Sequence, residues 1–134
     1  MRLFMLAVIL VILVFLSLFA FAQSAHYNFS KLNIYNGLSH NQNNAILKAK
    51  EGFLWFGTIS GLNRYDGYSF KVYRKKPNDS TSLPDNSVLS LYELPDGKMW
   101  VSTLGGPCIY DPYTEKFNAG YLSYLQSLGL PAGT

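Results

Sequence analysis

A passage that begins at Leu38, LSHNQNNAILKAKEGFLWFGTISGLNRYDGY, returns at Leu83 as LPDNSVLSLYELPDGKMWVSTLGGPCIYDPY. At a constant offset of 45, Leu38 meets Leu83, Asn41 meets Asn86, Gly52 meets Gly97, Trp55 meets Trp100 and Thr58 meets Thr103. Gly61 then meets Gly106, Tyr65 meets Tyr110, Asp66 meets Asp111 and Tyr68 meets Tyr113, all without a gap. Beyond the tyrosines the second copy gains two residues, so that Phe70 pairs with Phe117. A repeat of this length constrains a fold strongly. Each unit is a piece of supersecondary structure that cannot bury its apolar face alone and must stack on a neighbour.

Each copy divides into four short runs rich in aromatic, branched or alternating residues. In the first they are NAILKA, FLWFGT, LNRYD and FKVYR, separated by KEG, ISG and GYS; in the second they are VLSLYEL, KMWVST, CIYD and KFNA. Such runs between Gly, Asp and Pro punctuation predict strands and tight turns. Asp66 before Gly67 and Asp111 before Pro112 are expected as turn residues, whose side chains bond their own backbone two residues on, rather than as acids. Four antiparallel strands in about 45 residues, repeated, predict an all-β fold of β-propeller blades. The expected organisation is an apolar helical signal peptide over 1–22, a lead-in strand over 23–37, repeats over 38–82 and 83–120, and a truncated start of the next blade over 121–134. The propeller is thus incomplete, with about two blades. FLWFGT, apolar at successive positions, reads as an inner strand covered on both faces. That puts Trp55 and Trp100 in the cores between blades; the other reading of the two rings is as platforms for a sugar.

GLSHNQNNAILKAKEGFLWFGTISGLNRYDGYSFKVYR, positions 37 to 74, resembles the first repeat of the two-component regulator propellers, the periplasmic sensors of bacterial hybrid two-component proteins. The resemblance covers most of the chain after the apolar segment and includes YNFSKLNIYNGLS ahead of the first repeat. It departs from the family at Asn43, where an apolar residue is usual and where the second copy has Val88. It implies two seven-bladed propellers and a small β-sandwich outside the membrane. A membrane helix, a histidine kinase, a receiver and a helix-turn-helix domain are implied inside, in a membrane-anchored dimer. It further implies that the outer part senses oligosaccharides and switches on genes for glycan use through a phosphorelay. These 134 residues hold none of the kinase or DNA-binding parts. The partners implied are the remaining blades and an oligosaccharide, and the chain itself is expected to be no enzyme.

The N-terminus gives the compartment. LFMLAVILVILVFLSLFAFA carries no charge and ends in Ala20-Phe21-Ala22, the small-x-small pattern of signal-peptidase sites, so cleavage is expected after Ala22. A retained anchor is the alternative, since about 20 apolar residues also suffice to span a bilayer. Arg2 is the only positive charge before Lys31 in either case, and everything after position 22 is expected outside the cytoplasm. Of the remaining residues, 49% of the whole chain being hydrophobic and 14% charged, composition excludes a disordered polar tract. Net charge is only +3, and the single basic run, Arg74-Lys75-Lys76, reads as a solvated loop rather than a nucleic-acid footprint. Cys108 is the sole cysteine and sits among apolar residues, which makes it a buried small hydrophobe and precludes a disulfide within the chain. His26 and His40 are too isolated for a metal site, and neither cofactor nor metal is expected. Three functions compete: a non-catalytic sensor scaffold, an exported propeller lyase or glycosidase with its carboxylates in other blades, and a secreted binding or adhesion propeller. The carboxylates here are scattered at turns, which favours the first.

Overall fold

The computed structural model describes residues 1–19 and 29–129, which form two units, Met1–Lys31 and Leu32–Thr134. In the first, α1 (Arg2–Phe19) is a helix of leucine, valine, isoleucine and phenylalanine with no acid in its first turn and no base in its last. Among the described residues no helix is long and apolar enough to cross a membrane. The expected cleavage site at Ala20–Ala22 and His26 lie outside the described residues.

The second unit is two four-stranded antiparallel sheets, each in simple up-and-down order. The first contains β1 (Asn43–Lys48), β2 (Leu54–Thr58), β3 (Gly61–Tyr65) and β4 (Phe70–Tyr73). The second contains β5 (Val88–Glu93), β6 (Met99–Thr103), β7 (Gly106–Asp111) and β8 (Lys116–Asn118). These are the eight strands expected from the repeat, one propeller blade per copy. Even the irregularities recur: the register shifts between Asn43 and Ala45 in the first blade and between Val88 and Ser90 in the second. Such a bulge leaves one residue unpaired and increases the local twist.

Turn chemistry repeats with the strands. Gly52 and Gly97 close the β1–β2 and β5–β6 turns by donating their N–H groups to Ala49 and Leu94. Asp66 accepts from the backbone N–H groups of Tyr68 at 2.8 Å and Ser69 at 2.7 Å, and Asp111 accepts likewise from Tyr113 at 2.9 Å. Both are therefore Asx-type turns. Those backbone donors hold the Asp66 carboxyl below the usual carboxylate range.

Strand pairing assigns each residue to a face. Trp55 lies opposite Leu47 and Arg64, and Gly57 opposite Ala45 and Leu62, so these share the face turned toward the second blade. Against it lie Val88, Leu91, Met99, Val101, Cys108, Tyr110 and Phe117 of the second blade, all buried. The core of the unit is thus the interface between the blades. Strand β2 is buried at four of its five positions, from Trp55 to Thr58, which is why it is apolar at successive positions.

Two flanking segments differ from expectation. No strand forms over the described part of 23–37; Ile34–Asn36 is instead a 3-10 turn, capped by Asn33 and ended by Gly37 at φ 101°. The asparagine side chains satisfy the local backbone donors there, and an isolated extended segment would leave those donors without a ladder partner. Past the second blade, Tyr121–Ser127 is a short helix, α2, rather than a first strand of the next blade. Residues 130–134 lie outside the described residues.

Candidate functional site

The chemistry-bearing side chains of the two blades gather at their interface and at its outer rim. At the centre, Trp55 meets Tyr110 edge-on with ring centroids 5.0 Å apart, and Tyr73 stacks on Trp55 at 5.8 Å. Phe117 completes the cluster at 5.0 Å from Tyr110 and 5.7 Å from Tyr73. Aromatic pairs in such offset and edge-to-face geometries contribute about 0.5–1.5 kcal/mol each beyond their buried area. The hydroxyls of Tyr73 and Tyr110 bond each other at 2.9 Å, so neither polar tip is buried alone. Burial pushes both phenols up from their ordinary value, Tyr73 the more strongly, which keeps them neutral donors at any physiological pH.

Glu115 closes the rim. It sits in the stretch where the second copy is two residues longer, at φ 55°, an uncommon conformation for a residue with a side chain. Its carboxylate accepts from Arg64 at 3.2 Å and from Lys71 in the first blade, and Tyr73 Oη donates to it at 3.3 Å. Lys71 and Arg64 hold the Glu115 carboxyl below the usual range, Lys71 contributing most. The insertion thus supplies a charged clasp across the blade boundary. Asn44, the unpaired residue of the first bulge, adds a second clasp by donating Nδ2–H to Val88 O at 2.8 Å. On the other face of the first blade, Asn63 is fully buried. Its Oδ1 accepts from Ser39 N–H at 2.8 Å and its Nδ2 donates to Ser39 Oγ at 2.8 Å, pinning the segment before β1 onto β3.

The repeat positions divide between turns and core. Thr58 and Thr103 donate their hydroxyls to Gly61 O at 3.0 Å and Gly106 O at 2.7 Å, closing the β2–β3 and β6–β7 turns. At Gly61, φ is 136° and a Cβ would lie 2.7 Å from Tyr73 O, so only glycine fits. Tyr65 donates to Gly67 O at 2.7 Å and packs on Phe70, whereas its counterpart Tyr110 is at the interface. The structure brings Trp55 and Tyr110 together across the blades and joins Thr58 to Gly61 and Thr103 to Gly106 within them, while Gly52, Gly97, Asp66 and Asp111 lie at separate turns. Trp100 differs from Trp55: it is half-buried on the far face of the second blade, 5.2 Å from Tyr121 of α2. Of the two rings, Trp55 lies in the core between these two blades and Trp100 on the opposite face of the second.

Glu115, Tyr73, Asn63 and Gly57 are the residues that sequence reasoning passed over. Two left a trace. The two-residue insertion announced Glu115, and a glycine in mid-strand announces a close backbone approach. A Cβ on Gly57 would lie 2.6 Å from Val88 Cγ1, so this glycine is the groove into which β5 docks. Cys108 is fully buried, and burial pushes its thiol up to about 12. Among the described residues no group of three or more His, Cys, Asp or Glu could hold a metal ion.

Comparison with known proteins agrees with the blade geometry. The Two component regulator propeller family matches residues 37–60 and 82–105. Over 69 residues the chain is 42% identical to Histidine kinase P4 of Formosa agariphila, an alignment covering 52% of this chain and 5% of that protein. A crystal structure described as the extracellular domain of a hybrid two component system of B. thetaiotaomicron, BT3049, superposes with a TM-score of 0.61 at 33% identity, over 66% of this chain and 13% of the other. The corresponding domain of BT4673 from the same organism gives 0.54 at 26%, over 69% and 14%. The chain therefore spans a small fraction of each of these relatives, and within that fraction its two blades are similar to the repeats of the two-component regulator propeller family.

Proposed function

We propose that the chain is the N-terminal part of the extracytoplasmic ligand-sensing propeller of a hybrid two-component sensor, one that detects oligosaccharides and regulates genes for glycan use. The observation that carries this reading is the packed pair of regulator-propeller blades, whose relatives in solved structures are extracellular sensor domains. The apolar α1 with Arg2 at its start supports export, with the chain after residue 22 in the periplasm. The two blades themselves offer scaffold rather than catalysis, because their carboxylates serve turns and the inter-blade clasp. In this reading the remaining blades of an inner-membrane, dimeric parent complete the sensing surface, and phosphoryl transfer takes place in the cytoplasmic parts of that parent.

The test has two arms. A reporter active only after export, fused at position 120, is expected to give signal; activity of a cytoplasmic reporter at the same point overturns the localisation. Deleting residues 38–120 from the full-length gene is expected to abolish induction of glycan-utilisation genes by purified oligosaccharides. Unchanged induction in the deletion strain overturns the sensor reading.

A further inference from the structure

The connection from β4 to β5, residues 74–87, is the longest between strands in the two blades. Connections of this length in compact folds are usually either functional or disordered. This one is tightly tied. Asp79 accepts from the N–H of Thr81 at 2.9 Å and from its hydroxyl at 2.7 Å. Ser82 Oγ accepts from Lys76 N–H at 2.9 Å, and Asn86 Oδ1 accepts from Lys75 N–H at 2.8 Å. The loop also spans the blade boundary, since Phe117 N–H of β8 donates to Thr81 O at 2.9 Å.

Between this loop and the outer edges of β4 and β8 lies an open groove of about 420 Å³. Four cations line it, Lys71, Arg74, Lys76 and Lys116, against two carboxylates, Asp79 and Glu115. Glu115 is engaged by Lys71 and Arg64, and Asp79 by Thr81. Arg74 donates Nε–H to Ser60 O at 3.0 Å, which fixes the plane of the guanidinium and leaves its terminal nitrogens for another acceptor. Among the described residues, the ammonium groups of Lys76 and Lys116 have no hydrogen-bonded partner and feel the charge of Asp79. They come from different blades, so only the fold brings them to one groove.

We propose that this groove binds an oxyanion, a sulfate, phosphate or carboxylate group carried by a ligand or free in solution, with Arg74, Lys76 and Lys116 as its cationic contacts. Arg74 supplies the planar fork that matches two oxygens, and the two lysines supply mobile point charges on either side. Glu115 is paired with Lys71 and Arg64, which leaves the single charge of Asp79 against the three cations Arg74, Lys76 and Lys116. The site stands independently of the sensor reading.

The test is calorimetric titration of the full-length protein with sodium sulfate, a chondroitin sulfate tetrasaccharide, tetragalacturonate and neutral maltotetraose. Two variants are compared with wild type: Lys76→Gln with Lys116→Gln, and a control of equal charge change, Lys48→Gln with Lys50→Gln. At least one acidic probe is expected to bind, with affinity falling about tenfold or more in the groove variant and less than about threefold in the control. Sulfate alone behaving this way identifies a free-anion site, and an acidic tetrasaccharide binding more tightly than sulfate identifies an acidic glycan site; both support the groove. Equal weakening in the two variants, binding of maltotetraose with the same dependence, or no binding by any acidic probe overturns it. Thermal melts of both variants, expected at the wild-type temperature, exclude misfolding as the cause.

Discussion

The two blades share a sequence pattern but not an environment. Trp55 and Trp100 occupy the same repeat position, yet Trp55 is 3% exposed and Trp100 only half-buried against Tyr121. Ile46 is 65% exposed and its counterpart Leu91 is 7% exposed. Asn43 is exposed where Val88 is completely buried. In each pair the residue turned toward the other blade is buried and the one turned away is more exposed. At these three positions burial is set by the neighbour and not by the repeat, whereas Leu38 and Leu83, and Thr58 and Thr103, are buried in both copies. This also accounts for the departure at Asn43, which tolerates a polar side chain because its face carries no second sheet here, while Val88 must fill the space left by Gly57.

The largest effect is expected when the pair of blades is isolated. Residues 23–134 alone leave the two far faces without a second sheet, and at roughly 25 cal/mol per Å² several hundred Å² of apolar sheet forgoes about 10 kcal/mol, as much as the whole stability of an ordinary domain. This fragment is expected to aggregate or melt without cooperativity; a monomer by size-exclusion chromatography with a sharp thermal transition would overturn that expectation.

Next in size is the tryptophan pair, compared in the full-length protein. Trp55→Ala removes a ring that contacts Tyr73 and Tyr110 and is expected to cost about 3–5 kcal/mol. Trp100→Ala should cost the same only if a further blade covers it, and clearly less if α2 is its final cover. Urea denaturation of the two variants reads the difference directly. Should Trp55→Ala keep its stability and lose ligand binding instead, the ring is a sugar platform rather than core.

A smaller effect is expected where β5 docks on Gly57. Gly57→Ser writes the second repeat's residue into the first blade and drives a Cβ against Val88, whose branched side chain has little room to rotate. A loss of about 1–3 kcal/mol is expected from overpacking. The reverse change, Ser102→Gly on the uncovered face, is expected to cost less than about 1 kcal/mol, most of it the entropy of glycine in a strand. Equal losses would mean that the close approach at Gly57 carries no weight.

The smallest effect concerns the rim. Glu115 is more than a third exposed, so its pairs with Arg64 and Lys71 are screened and contribute under about 1 kcal/mol. Because its folded-state pKa is depressed from an ordinary value of 4.5, the contribution is present above that pH and is lost as pH falls through the depressed value. The stability difference between wild type and Glu115→Gln is expected to hold at neutral pH and to close on acidification below about 4.5. A difference that widens instead would assign Glu115 a raised pKa and undo the clasp.

The sequence by itself determined the local architecture: eight strands, their turns, the blade fold and the roles of Asp66, Asp111, Gly52 and Gly97. Turn geometry and strand periodicity depend on residues within a few positions of each other, and the offset of 45 doubled the signal. Only the tertiary structure decided which face of each blade is core. It separated Trp55 from Trp100, joined Tyr73 to Tyr110, seated Val88 on Gly57 and turned Glu115 from an inserted residue into a clasp. It also made the segment before β1 a capped turn and the one after β8 a helix, where the repeat offered no pattern to follow. The reason is physical: a residue's burial and partners depend on what packs against it from another blade, and a repeat specifies the unit while leaving its neighbour unstated.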